Sequence, residues 1–406
     1  MPAMREGEPC HCYETAKIRK KNKNTKKKSW RMVAVDNKRT VTALRVLNTT
    51  TAMRFLSPFR TTYIIIMALT LAAGLQSCNT RNIIDSDVSR PSVCQAPAFL
   101  QPGDKVALLS PSYYCDTAEV RQAAALIESW GYVAVVGKHV GNIYKGKYAG
   151  TAEERLEDLR RALDDPDIKA ILCNRGGYGT LHFINTLPVS YLAEHPKWIV
   201  GFSDITTLLA METNAGLMSI HGIMGGGLAR CNGEGLSAEL LRDMLRGVMP
   251  RYHVAPHPYN QGGYARGILV GGNLCTFAPL SGTEADLARC DNFILFIEEV
   301  GENYRNIDRL FNSLVKRGMM ERCRGVVLGD FTELGDDLEY SSVEELLHDY
   351  LKQYNIPVMC GLHAGHGDIN LPLMMGAEVE LKVDDSGATL TFVGAKEERD
   401  VEVAGQ

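Results

Sequence analysis

Between residues 101 and 230, short apolar runs alternate with segments of helical periodicity. The apolar runs predict strands at 105–109, 132–136, 168–173 and 197–202, and the intervening segments predict helices at 118–130, from 151 onward and at 204–213. Strict alternation of strand and helix is typical of parallel strands with helices on both faces of the sheet. We therefore expect an α/β domain over 101–230.

A second series of apolar runs occupies residues 266–396. It predicts strands at 293–297, 325–328, 377–383 and 388–393, with helices near 307–317 and 343–354. The stretch 231–265 carries proline and glycine punctuation around one helical segment, which is typical of a connection. We expect a second, smaller α/β domain after it.

Composition agrees with a folded protein of more than one domain. The chain has 406 residues, of which 45% are hydrophobic and 23% charged, so a sizeable core can form. The net charge of −4 argues against a general nucleic-acid binder. Residues 1–52 differ from the rest of the chain in charge, since they contain 13 Lys/Arg and 4 Asp/Glu. We expect this basic segment to be disordered or to precede the true start of the protein.

A candidate export signal follows at 53–78. Met53 opens a short basic stretch, an apolar run covers 63–75, and Cys78 comes directly after Leu75-Gln76-Ser77. This order resembles a bacterial lipoprotein signal, in which Cys78 would be lipidated and residues 79–100 would be a linker. We expect an exported protein tethered to a membrane. An ordinary cleaved signal of a soluble periplasmic protein and a buried apolar segment remain the alternatives.

Ser203 is the candidate nucleophile. It lies in Gly201-Phe-Ser-Asp, where a predicted strand passes directly into a helix. A serine on such a turn projects its hydroxyl from the carboxyl edge of a parallel sheet, beside the free N–H groups of a helix start. Ile205 replaces the second glycine of the common G-x-S-x-G motif, and an ordinary helix cap is the alternative.

The loop Arg175-Gly-Gly-Tyr-Gly also follows a predicted strand. Its paired glycines allow backbone N–H groups to approach a ligand, so the loop could complete an oxyanion hole or seat a carboxylate beside Arg175. A glycine-rich structural turn is the alternative. A phosphate site is disfavoured because no P-loop lysine or G-x-G-x-x-G spacing is present.

Two further candidates lie in the second region. Glu298 follows a strongly apolar strand, where a carboxylate is costly unless it meets a histidine or an arginine. The acidic start of the helix predicted near 307 is the alternative. His366 lies between two glycines, on adaptable backbone that suits a general base. His363 and His366, three residues apart, are candidate metal ligands, but no third ligand is evident. We therefore expect neither a metal nor another cofactor.

Together these motifs resemble the LD-carboxypeptidase family of serine peptidases. The resemblance runs from near Gln101 to near Val393 and rests on several short motifs in the family's order: Ser110-Pro-Ser, Arg175-Gly-Gly-Tyr-Gly, Gly201-Phe-Ser-Asp, Gly271-Gly-Asn-Leu, Ser281-Gly-Thr, Phe296-Ile-Glu-Glu, Ile307-Asp-Arg, Gly365-His-Gly and Leu371-Pro. The segment Leu373-Met-Met-Gly departs from the shorter turn of the family.

The resemblance implies roles for individual residues. It makes Ser203 the nucleophile, Glu298 the acidic member of a triad and His366 the general base. The backbone amides of Asp204 and of Gly176 or Gly177 would form the oxyanion hole. The side chains implied to bind substrate are Arg175, Tyr178 and Asn273. The implied fold is a glutamine-amidotransferase-like N-terminal domain followed by a smaller domain with a barrel-like sheet.

The same resemblance implies a substrate. Members of the family remove the terminal D-Ala from the stem tetrapeptide of peptidoglycan, so a peptidoglycan-derived peptide is the expected partner. Two other functions stay open, namely hydrolysis of microcin C-type peptide-nucleotides or acyl-adenylates, and non-catalytic binding to the cell wall. The sequence also leaves a homodimer open.

Overall fold

The computed structural model describes residues 93–287, 290–335 and 339–404. The predicted basic segment 1–52, the candidate signal 53–78 with Cys78, and most of the linker lie outside these residues. Within the described part of the chain, no helix is long and apolar enough to cross a membrane.

The described residues form two sheets and the helices that cover them. The strands are β1 (Lys105–Leu109), β2 (Val133–Val136), β3 (Ile168–Cys173), β4 (Trp198–Gly201), β5 (Ser219–His221), β6 (Val248–Val254), β7 (Gly263–Asn273), β8 (Phe293–Val300), β9 (Cys323–Thr332), β10 (Val358–Met359), β11 (Leu373–Met375), β12 (Glu378–Asp384), β13 (Gly387–Phe392) and β14 (Glu397–Val403). The helices are α1 (Thr117–Ser129), α2 (Ala152–Asp164), α3 (Val189–Glu194), α4 (Thr206–Asn214), α5 (Gly225–Arg230), α6 (Leu236–Leu245), α7 (Leu274–Phe277), α8 (Tyr304–Lys316) and α9 (Val343–Leu351).

The first sheet confirms the predicted parallel α/β architecture. Its strand order is β11-β5-β4-β3-β1-β2, and the five strands from β5 to β2 are parallel to one another. Strands β1, β3 and β4 are almost wholly buried, which explains why they read as continuous apolar runs. The loops after these strands meet at one edge of the sheet, where ligands bind in such folds.

Local sequence explains where the first helices begin. The Thr151 side chain accepts a hydrogen bond from the Glu154 N–H at 3.3 Å, and Glu154 accepts one from the Thr151 N–H at 2.8 Å. This reciprocal pair is the capping box that the sequence predicts, and it satisfies two N–H groups at the start of α2. Asp116 caps α1 in a similar way, by accepting from the Ala118 N–H at 2.7 Å.

The second sheet is mixed and open. Its order is β10-β9-β8-β7-β12-β13-β6-β14, so β10 and β14 are its edges. Strand β6 lies inside the predicted connection 231–265, and β14 lies beyond the predicted end at 396. The barrel-like closure implied by the family resemblance does not form among the described residues, because the edge strands β10 and β14 do not pair with each other.

The two sheets share a core. Strand β11 comes from the second half of the chain but pairs antiparallel with β5 of the first sheet. One continuous cluster of buried apolar side chains includes residues of both sheets, among them Trp198 and Phe296. The Asn273 N–H at the end of β7 also donates to the Thr206 hydroxyl at the start of α4, at 3.1 Å. These contacts fix the carboxyl end of β4 against the second sheet.

Candidate functional site

Ser203 occupies a strained turn at the end of β4. A short 3-10 turn over Ser203–Ile205 joins β4 to α4, and the φ angle of Ser203 is +62°. This left-handed conformation is uncommon for a residue with a side chain and is concentrated at functional sites. Ser203 is partly exposed, and the N-cap position of the turn is Phe202. A strained turn from strand to helix is the backbone geometry of a nucleophile elbow, and the nucleophilic role of Ser203 stays a prediction.

Asp204 anchors this elbow from inside. Its carboxylate is buried and accepts hydrogen bonds from the Ser112 hydroxyl and, at 2.9 Å, from the Thr180 N–H. The Thr180 hydroxyl donates to the Asp204 carbonyl at 3.0 Å. The loops after β1 and β3 therefore hold the residue that follows Ser203. The Asp204 side chain is structural, and only its backbone N–H is available for chemistry at the start of the helix.

The predicted glycine loop lies against Ser203. A Cβ atom at Gly176 would lie 2.9 Å from Ser203 Cβ and 3.1 Å from Ser203 Oγ, so the loop backbone directly adjoins the hydroxyl. Gly177 has a φ angle of +110°, and any side chain there would overlap the ring of Tyr113. Glycine is required at 177 for both reasons. The Arg175 side chain is exposed to solvent on the same loop.

His366 and Glu298 form a buried pair. His366 Nδ1 lies 2.7 Å from Glu298 Oε2, and the Glu298 side chain is 0% exposed at the end of β8. Gly365 has a φ angle of +126°, and a Cβ atom there would lie 2.6 Å from Glu298 Oε2. Only glycine allows the loop to bring His366 this close to the strand. Burial lowers the pKa of His366, but attraction to Glu298 together with Glu299 and Glu333 outweighs it, and the net pKa is raised.

Phe202 brings this pair to the elbow. The rings of Phe202 and His366 are 4.8 Å apart between centroids, and Phe202 immediately precedes Ser203. His366 and Glu298 come from the loop after β10 and from β8, whereas Ser203 comes from the first sheet. The structure therefore places all three sequence-predicted residues around one region where the two sheets meet.

Asn273, predicted from the family resemblance to bind substrate, lies inside the protein. Its side chain is buried, with Nδ2 donating to Glu299 Oε1 at 3.0 Å and Oδ1 accepting from the Thr276 N–H and hydroxyl. Glu299 also accepts from the Cys275 N–H at 2.6 Å. The Asn273 amide is thus used to cap α7 and to hold Glu299, and its position gives no support to direct contact with a substrate.

An aromatic and cationic rim extends from the glycine loop. Tyr113, after β1, packs edge-to-face on Tyr148 with 5.5 Å between centroids, and Lys147 Nζ lies 5.6 Å and 5.3 Å from the centroids of these two rings. Tyr178, predicted to bind substrate, is exposed and contacts the His182 ring edge-to-face. Sequence reasoning missed Tyr113, although it directly follows the Ser110-Pro-Ser motif.

His363 and the cysteines have other partners. His363 Nδ1 lies 3.2 Å from the buried Asp330, and no cluster of three or more His, Cys, Asp or Glu side chains within the described ranges could hold a metal ion. The cysteines of the same ranges are free thiols. Burial raises the pKa of Cys94 and of Cys360 to about 12, so these thiols are poor nucleophiles.

Comparison with known proteins gives consistent results over most of the chain. Residues 106–222 match the LD-carboxypeptidase N-terminal domain, and residues 266–381 match the LD-carboxypeptidase C-terminal domain. The murein tetrapeptide carboxypeptidase of Pseudomonas aeruginosa is 34% identical over 295 residues, which cover 70% of this chain and 94% of that protein.

Two other similarities extend this result. The crystal structure of muramoyltetrapeptide carboxypeptidase from Oxalobacter formigenes has a TM-score of 0.63 at 25% identity and covers 70% of this chain and 97% of its own. The microcin C7 self-immunity protein of Escherichia coli is 24% identical over 332 residues, covering 72% of this chain and 95% of that protein.

Proposed function

Because the chain belongs to the LD-carboxypeptidase family, we propose that it removes the terminal D-Ala from stem tetrapeptides of peptidoglycan. Family membership makes it a serine-type carboxypeptidase. The single observation that supports the catalytic assignment most directly is the strained backbone of Ser203 beside a buried His366–Glu298 pair. A purely structural serine and an exposed histidine would need neither feature.

His366 is the general base in this proposal. Its Nδ1 is occupied by Glu298, so Nδ1–H donates to the carboxylate and Nε2 is the nitrogen left to accept a proton. Ser203 Oγ attacks the carbonyl carbon of the scissile bond while its proton passes to His366 Nε2. Glu298 holds the ring in this tautomer and stabilises the imidazolium that forms.

The tetrahedral intermediate then collapses to an acyl-enzyme. The C–N bond breaks, His366 returns its proton to the departing D-Ala amine, and a water molecule later hydrolyses the ester on Ser203 by the same proton route. We assign the oxyanion hole to the N–H of Asp204 and to one N–H from Gly176 or Gly177, and the closeness of Gly176 to the Ser203 hydroxyl supports this assignment. Such a donor contributes about 3–4 kcal/mol to the transition state.

Arg175 is the proposed ligand of the terminal carboxylate. It is exposed on the loop that adjoins Ser203, and a guanidinium can bind a carboxylate through two parallel hydrogen bonds. The rim formed by Tyr113, Tyr148 and Lys147 continues the same edge of the sheet, where it can contact a more distant part of an anionic peptide. This placement supports a substrate longer than the two residues at the scissile bond.

Incubation of the purified protein with defined muropeptides tests the activity. We expect release of D-Ala from the tetrapeptide, detected as the mass of the tripeptide product. The competing substrates are a microcin C-type peptide-nucleotide and an acyl-adenylate, which the similarity to the self-immunity protein makes relevant. Cleavage of these compounds without cleavage of the tetrapeptide would assign the immunity function, and binding to peptidoglycan without any product would assign the non-catalytic one.

We also propose that the protein is exported and anchored through Cys78. The support is the order of basic residues, apolar run and cysteine in 53–78 together with a proposed substrate that lies in the cell wall. Replacement of Cys78 by alanine should move the protein from the membrane fraction to the soluble fraction. An unchanged distribution would exclude lipidation at Cys78.

A further inference from the structure

His221 is a fully buried histidine close to the His366–Glu298 pair. His221 ends β5, is 0% exposed, and has no hydrogen-bond partner for either ring nitrogen in the described part of the chain. Its ring packs edge-on against Phe296, with 4.9 Å between centroids, and lies 5.7 Å from the ring of Phe202. Burying polar nitrogens without partners is costly, so their position calls for a physical explanation.

Two more unpartnered polar atoms belong to the same buried region. Glu298 Oε1 and Asn370 Nδ2 are buried, and neither has a hydrogen-bond partner among the described residues. The side chains of Glu298 and Phe296 both lie against Gly329, which places Glu298 next to the ring that His221 contacts. His221, Glu298 and Asn370 thus each have an unpartnered polar atom, and both Glu298 and Asn370 are close enough to act on the His221 ring.

A hydrogen bond from the Gly365 N–H fixes the orientation of the Asn370 side chain. Its Oδ1 accepts a hydrogen bond from the Gly365 N–H at 3.0 Å, so its Nδ2 is the donor that faces the remaining groups. The Asn370 N–H in turn donates to the Ser237 hydroxyl at 2.9 Å. Asn370 is thus held at both its backbone and its side chain, next to the glycine that precedes His366.

His221 is neutral in this environment. Burial lowers its pKa to about 4, since the attraction to the Glu298 carboxylate is smaller than the cost of desolvation, and His366 lowers it further. A neutral imidazole has one N–H donor and one nitrogen acceptor. Donors and acceptors then match, because Asn370 Nδ2–H can donate to His221 and the His221 N–H can donate to Glu298 Oε1.

We propose that His221 is a positioning residue that holds the second carboxylate oxygen of Glu298, with Asn370 fixing the His221 ring from its other side. Each bond forms directly, after a small side-chain rotation, or through one enclosed water. This inference rests on the proposed function of His366 and Glu298. Glu298 is then held by two histidines, with His366 on Oε2 and His221 on Oε1.

The hydrogen bond from His221 to Glu298 Oε1 affects how Glu298 acts on His366. A donor on Oε1 fixes the orientation of the carboxylate and draws part of its negative charge away from Oε2, the oxygen that faces His366. Glu299 and Glu333 also act on His366, and Asp330 interacts with Glu298, but these groups are acidic and supply no donor to Oε1 when ionised. His221 acts only through Glu298 and makes no contact with the substrate in this proposal.

The test replaces His221 by phenylalanine, which keeps the packing against Phe296 and removes both nitrogens. We expect kcat to fall about 10- to 100-fold with KM unchanged, because a hydrogen bond to a charged group is lost. Without this donor more negative charge stays on Oε2, which favours the protonated form of His366. The acid limb of the pH profile should therefore move to higher pH. His221→Gln retains an N–H donor and should recover part of the rate.

Asn370→Leu provides an independent variant if His221→Phe folds poorly. It should cause a smaller shift of the acid limb in the same direction. The double variant should move the acid limb no further than His221→Phe alone, because Asn370 acts on Glu298 only through the His221 ring. Ser219→Ala is the matched control, since Ser219 is equally buried in β5 and its hydroxyl is also unpartnered there. It should leave the acid limb in place.

A substrate-independent measurement separates this inference from the proposed activity. NMR titration of the His366 ring should give a higher pKa in His221→Phe than in the unmodified protein, whether or not the tetrapeptide is cleaved. Absence of D-Ala release with this shift present would overturn the proposed substrate alone. A folded His221→Phe protein with an unmoved His366 titration, or one in which Asn370→Leu moves that titration further, would overturn the positioning role.

Discussion

The ring of His366 lies 4.8 Å from the ring of Phe202, the residue immediately before Ser203. This contact joins a loop of the second sheet to the elbow of the first, and Glu298 fixes the far side of the imidazole at 2.7 Å. The proposed chemistry therefore depends on how the two halves of the chain pack. Removing either half would leave an incomplete set of groups.

Replacement of Ser203 by alanine should reduce D-Ala release by at least about 10³-fold, because no other hydroxyl is proposed to attack the substrate. Release of D-Ala is measured by mass after incubation with tetrapeptide. Ser129→Ala is a suitable control, since that exposed hydroxyl only donates to the Leu126 carbonyl within α1. Turnover retained in the Ser203 variant would exclude this residue as the nucleophile.

The strained backbone of Ser203 should lower the free energy of unfolding. With a φ angle of +62°, Ser203→Gly should be more stable than Ser203→Ala by about 1–2 kcal/mol, because glycine adopts left-handed backbone without steric cost. Chemical denaturation of the two inactive variants measures the difference. Equal stabilities would mean that the elbow relaxes and that the turn stores no strain.

The raised pKa of His366 determines the acid limb of activity. The base must be neutral, so kcat/KM should rise with pH through a limb above about 6.5, the ordinary histidine value. In Glu298→Gln the attraction is removed and burial dominates, so the limb should move to lower pH. The rate should also fall by about 10⁴-fold, as expected when the tautomer is wrong. A limb that stays in place would contradict the pairing.

Arg175 offers a test of carboxylate recognition. Arg175→Gln should raise KM for the tetrapeptide with little change in kcat, since the residue is proposed to bind and not to react. A substrate with a terminal amide in place of the carboxylate should be insensitive to the change. Lys105→Gln is the control, because Lys105 begins β1 at the opposite edge of the sheet and pairs with Asp167. Equal effects on both substrates would remove Arg175 from this role.

A substitution at Gly177 tests how closely the glycine loop packs against Tyr113. Gly177→Ala should destabilise the fold by about 1–3 kcal/mol and reduce activity further than that loss explains, since the side chain would overlap Tyr113 beside the proposed oxyanion hole. Gly103→Ala is the control for backbone strain without steric overlap. Gly103 also has a positive φ angle, but no atom lies within 4 Å of the added Cβ. Similar effects of the two substitutions would show that the contact with Tyr113 is unimportant.

The sequence alone determined the elements whose signal is local. Apolar runs identified β1 and β3 at their observed bounds, and Thr151 with Glu154 identified the start of α2. The turn at Ser203 was also recognisable, because a strand that passes directly into a helix leaves few conformations for the residue between them. These features depend on neighbours within a few positions.

Only the tertiary structure decided which distant residues meet. Strand β11 has three residues and joins the first sheet from the far half of the chain, and the charged β14 carries no apolar run that would mark it. The burial of the Asn273 amide and the unpartnered nitrogens of His221 depend on the packing of one sheet against the other. Such contacts are set by the shape of the shared core, for which no short stretch of sequence carries a signal.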